Sequence, residues 1–116
     1  MNGRDIDEVR ALFDDAESES DPAPKLEALQ EALALTDEIV RSSEFPDATK
    51  VMARNIRRSH LRRLIQQLIR LENLEVNAWS GYIHFLLLDR DSEIRSILDE
   101  NPPLIEGYNA IAKLVR

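Results

Sequence analysis

Residues 48–71 read ATKVMARNIRRSHLRRLIQQLIRL, with no proline or glycine to interrupt them. They hold seven of the chain's fifteen Lys and Arg residues and none of its twenty-two Asp and Glu residues. The basic set is Lys50, Arg54, Arg57, Arg58, Arg62, Arg63 and Arg70, so the segment carries +7 and the remainder −14. Such segregation is expected either of a surface for an acidic partner or of one basic helix flanked by acidic ones.

The pattern of this stretch decides the fold. At about 100° per residue, Met52 and Ile56 mark one side of its first half, with Ala53 and His60 adjoining. Lys50, Arg54 and Arg57 lie on another side. In the second half, Leu61, Leu64, Ile65 and Leu68 continue the azimuth of those three basic residues, and Arg63 and Arg70 fall on that of Met52. A straight helix against one flat core would not exchange its faces. A bend near Ser59 or a change of packing neighbour would do it, and the second is the expectation here. The helix opens at Pro46 and ends by Asn73, about 26 residues or ~39 Å at roughly 1.5 Å each. Its first half is expected to meet the N-terminal helices and its second half the C-terminal ones.

Working outward, apolar residues at helical spacing predict five more helices and no strand. The first covers about 6–17, with Ile6, Val9, Phe13 and Ala16 on one face, Leu12 beside them and Asp5 and Glu8 as a capping box. An acidic linker at 17–22 follows. Pro22 opens a helix capped by Asp21 and running to Arg41, with Leu26, Leu29, Leu33, Thr36 and Val40 in register and Ala28, Ala32 and Ile39 alongside. Beyond the basic stretch, a helix at 74–88 puts Val76, Trp79, Ile83 and Leu86 in phase, with Gly81 in its middle. Asp89 or Asp91 caps a short helix containing Ile94, Ile97 and Leu98. Asn101-Pro102-Pro103 stops it, and the last helix places Leu104, Tyr108, Ile111 and Val115 on one stripe. The expected architecture is all-α, one domain over 1–116, about six helices around a long central one, with stacked hairpins as a variant. No internal repeat occurs.

Composition narrows the function. At 116 residues and 43% hydrophobic content the chain can bury a core. The absence of cysteine excludes disulfides, thiolate metal sites and cysteine nucleophiles. The N-terminus shows no apolar signal core, and Tyr82–Leu88 is too short to span a bilayer, so a cytoplasmic protein without membrane contact is expected. A net charge of −7 opposes broad affinity for nucleic acid. Residues 1–47 carry a net −10, and Glu27, Glu31, Asp37 and Glu38 could pair with the basic helix.

Catalysis finds little support. His60 and His84 have no His or Cys at ligand spacing, and no phosphate-binding glycine loop exists. The acids at 14–21 lack the EF-hand glycine and terminal Glu, so neither metal nor cofactor is expected. Ser18 and Ser20 lie among acids and have the context of phosphorylation sites. The function expected is a non-enzymatic protein–protein interaction domain, an adaptor or regulatory protein. Arg54, Arg57, Arg58 and Arg62 form a stripe for an acidic or amphipathic partner segment, and Tyr82 and Phe85 lie off the apolar stripe as aromatic anchors. The alternatives are a phosphate-backbone nucleic-acid binder using the same stripe, and a structural or homo-oligomeric domain.

Overall fold

The computed structural model describes the backbone of residues 4–115 and the side chains from Ile6 to Val115. Among these residues the regular structure is entirely helical: α1 (Arg4–Ser18), α2 (Pro22–Arg41), α3 (Asp47–Ile69), α4 (Val76–Asp89), α5 (Asp91–Glu100) and α6 (Ile105–Leu114). A 3-10 turn at Pro102–Leu104 leads into α6. The contacts divide the chain into two compact units, one ending at His60 and one beginning at Leu61, so the boundary falls inside α3.

In the first unit α1 packs along α2. Ile6, Val9, Phe13 and Ala16 are all buried, as their spacing predicts. On α2 the buried set is Lys25, Leu29, Ala32, Leu33, Thr36 and Ile39. Leu26 and Val40 are only half-buried, so the inward stripe sits slightly off the expected one and starts with a lysine. Thr36 Oγ1 donates to the Ala32 carbonyl at 2.7 Å, which satisfies its buried hydroxyl within the helix. Asp21 occupies the position before Pro22, but its side chain makes no capping bond. The expected cap at Asp5 involves a side chain outside the described residues. The acidic linker shrinks to residues 19–21, because α1 continues through Glu17 and Ser18.

The face change of α3 is present, with one correction. In its first half Ala53 and His60 point inward and Ile56 is half-buried, but Met52 is exposed at 44%. The inward face therefore centres on Ala53 and His60, the residues that adjoin Met52 and Ile56 on the helical wheel. Leu61, Leu64, Ile65 and Leu68 then take over. Each half has its own neighbours: Arg57 and His60 bond to α2 and α1, whereas Ile69 lies against Gly107 of α6. The helix ends at Ile69, some four residues before Asn73, whose φ of 55° marks the following turn.

The second unit packs α4 against both α5 and α6. Trp79, Tyr82, Ile83 and Leu86 form the inward face of α4, which runs through Gly81 unbroken. Ile94, Ile97 and Leu98 are buried on α5, as expected. Arg90, not Asp89 or Asp91, precedes the first residue of α5, and Asp91 instead chelates Arg95 one turn on, at 3.1 and 3.2 Å. Asn101 closes α5 by donating from Nδ2 to the Ile97 carbonyl at 2.8 Å. His84 Nε2 donates to the Val115 carbonyl at 2.9 Å and so holds the end of α6.

Candidate functional site

The four arginines expected to form one stripe do not share one environment. Arg57 is half-buried, and its Nη1 donates to Asp37 Oδ1 on α2 at 3.0 Å. Arg58 and Arg62 are also half-buried, and Arg54 is exposed. Of the acids on α2 that could meet the basic helix, Asp37 takes Arg57. Glu27 and Glu31 instead line an acidic groove of about 410 Å³ with Asp15 of α1 and Glu19 of the linker that follows it.

The aromatic anchors divide as well. Tyr82 is 1% exposed and meets Trp79 edge-on, with ring centroids 5.4 Å apart. The expectation of a surface anchor there is wrong, because the inward face of α4 is wider than a narrow seam and takes in the residue three after Trp79. Phe85, farther round the helix, is half-buried. Two large apolar side chains occupy the outward side of α3 instead. Val51 is 51% exposed and Met52 44%. Val51 stands one turn before Arg54, and Met52 lies on the far flank of Val51, away from Arg54. Helical spacing alone assigned Met52 to the core and attached no role to Val51.

The chain's most unusual side chain is Lys25, which carries no signal in the sequence. It is 3% exposed, and its ammonium donates to the carbonyls of Ala16 at 2.6 Å, Glu19 at 2.9 Å and Glu17 at 3.4 Å. These carbonyls belong to the end of α1 and the residue after it. A cation there satisfies acceptors that the helix leaves open and opposes its dipole. Burial lowers the Lys25 pKa, and the nearby Glu17 and Glu19 carboxylates act in the opposite direction.

Next to it, Asp14 and Glu17 project from the last turns of α1 toward His60 of α3. His60 is 6% exposed and stacks on Phe13, with ring centroids 5.0 Å apart and planes 11° from parallel. Its Nδ1 lies 2.7 Å from Glu17 Oε1. The donor atoms of Asp14, Glu17 and His60 all lie within 4.8 Å of one another. Both components were visible in the sequence, the lone histidine and the acidic run, but nothing in their spacing joins residues 43 positions apart. No helix among the described residues is long and apolar enough to cross a membrane. No known protein family, curated protein or solved structure matches this chain.

Proposed function

We propose that this chain is a non-enzymatic protein-interaction domain whose contact surface is the outward side of the first half of α3. The observation that supports this reading is the exposure of Val51 one turn before an exposed Arg54, with Met52 exposed on the other flank of Val51. An outward face with an apolar centre and a guanidinium at one edge suits an amphipathic partner segment carrying Asp or Glu at its edge. Pairing with Asp37 withdraws Arg57 from such a surface, so Arg54 carries the charge recognition and Val51 and Met52 the apolar contact. The same withdrawal weakens the continuous stripe that phosphate tracking would need.

The test is affinity capture from the native host with wild type, a Val51→Ser/Arg54→Glu variant and a charge control, Lys113→Glu. The interaction reading expects a discrete partner to be lost only with the first variant, while helical circular dichroism stays unchanged. Equal capture by all three proteins sinks it. Anisotropy against random-sequence DNA and RNA, at about 50 and about 200 mM salt, separates the alternative. Binding that collapses at the higher salt and is lost with Arg54→Glu puts nucleic acid in place of a protein partner.

A further inference from the structure

We propose that Asp14, Glu17 and His60 form a binding site for a divalent transition-metal cation such as Zn²⁺. The three donors come from two helices and from two chemical classes, two carboxylates and an imidazole. With separations of at most 4.8 Å, some point lies within ~2.8 Å of all three, so inward shifts of about 0.6 Å reach the ~2.0–2.2 Å bonds of zinc. Side-chain torsions of Asp14 and Glu17 supply such shifts without moving the backbone. Glu17 and Asp14 stand three residues apart on α1, which puts their carboxylates side by side.

The surroundings suit the ion. Stacking on Phe13 fixes the plane of the His60 ring, so the buried donor is already oriented. Exposure rises from His60 through Glu17 to Asp14, giving a buried base and an entrance from solvent. The two carboxylates balance a double positive charge, and the carbonyl end of α1 adds a negative potential. Lys25 works against the ion, since its ammonium sits on the Ala16, Glu17 and Glu19 carbonyls. The imidazole selects borderline cations over Mg²⁺, which prefers an all-oxygen shell. Three protein ligands leave coordination positions for water. A bound cation ties the end of α1 to α3, so it stabilises the first unit.

The hydrogen bond between His60 and Glu17 alone would account for two of the three residues. Asp14 is therefore the discriminating position. The full chain is titrated calorimetrically with ZnCl₂ and, in parallel, with MgCl₂. The variants are Asp14→Asn, His60→Gln and, as a control, His84→Gln. One zinc equivalent is expected for wild type and His84→Gln, with a raised melting temperature and at least tenfold weaker binding of Mg²⁺. Asp14→Asn, an exposed change that retains the fold, weakens zinc binding tenfold or more. Cobalt(II) shifts or broadens the His60 ring protons in the NMR spectrum, a readout that stands even if His60→Gln does not fold. No zinc binding by wild type, undiminished binding by Asp14→Asn, or an unperturbed His60 ring under cobalt overturns the assignment.

Discussion

Lys25 Nζ lies 2.6 Å from the carbonyl oxygen of Ala16, so a side chain of α2 closes the end of α1. Hydrophobic burial elsewhere in the first unit is non-directional, whereas this contact fixes where one helix stops relative to the other. Lys25→Met keeps the length and apolar stem but leaves buried carbonyls without their donor. Loss of charge-assisted bonds in a buried setting costs about 2–3 kcal/mol. Urea unfolding of the variant is expected to show that loss with an unchanged slope. A loss below about 0.5 kcal/mol would mean that water replaces the ammonium at no cost.

Arg57 and Asp37 form a half-buried pair, and its strength is separable from the charge of each residue. A double-mutant cycle with Arg57→Met and Asp37→Asn is expected to give a coupling of about 1 kcal/mol, at the upper end for exposed pairs. Because both groups are partly shielded, most of it should survive 1 M NaCl. Coupling that vanishes in salt would class the pair with ordinary surface contacts. Arg54→Glu, outside the pair, should leave stability within about 0.5 kcal/mol.

How much of this was legible in the sequence depends on the range of the interaction concerned. The α1 face of Ile6, Val9, Phe13 and Ala16 follows from helical period alone. So does the exchange of faces along α3, and the division of the chain at His60 and Leu61 falls within two residues of the position that the azimuths indicate. Lys25 was not legible, because a lysine at the head of an apolar stripe reads as solvent-facing until the end of another helix is placed above it. Met52 and Tyr82 failed for a common reason: each lies at the margin of a stripe, where a rotation of the helix by about one residue's 100° decides burial. The cluster of Asp14, Glu17 and His60 needs tertiary structure to exist at all.

The two described glycines within helices should respond oppositely to alanine. A methyl group at Gly81 would meet nothing within 4 Å. Gly81→Ala therefore gains helix propensity alone, about 0.5–1 kcal/mol. At Gly107 the same methyl would stand 2.6 Å from Ile69 Cγ2, at the close approach of α6 to the end of α3. A β-branched methyl cannot swing aside freely, so Gly107→Ala should lose about 1–3 kcal/mol through displacement of α6. Ile69→Ala in the same background should recover part of the loss. A stabilising Gly107→Ala would show that α6 is not seated as described.

Tyr108 gives the chain a signature at alkaline pH. Burial of its phenol, reinforced by the Asp91 carboxylate and opposed by Arg95, pushes its pKa from 10.0 up to about 12. Its hydroxyl has no hydrogen-bond partner among the described residues. The folded chain thus retains a proton that the unfolded chain releases. The stability tied to that proton is complete below pH 10 and falls as the pH rises toward 12, by roughly 3 kcal/mol in all. Lys25 contributes in the other direction: its lowered pKa makes the unfolded chain the stronger proton binder up to its ordinary 10.5, so its term raises stability as the pH climbs to that point. The Tyr108 effect is therefore cleanest between about pH 10.5 and 12. Tyr108→Phe removes it together with an unsatisfied buried hydroxyl, so at neutral pH the variant should equal wild type or exceed it by up to about 1 kcal/mol. Urea midpoints from pH 9 to 12 should fall more steeply for wild type than for Tyr108→Phe. Parallel curves would mean that the phenol ionises in the folded chain as readily as in the unfolded one, and that α6 leaves it open to water.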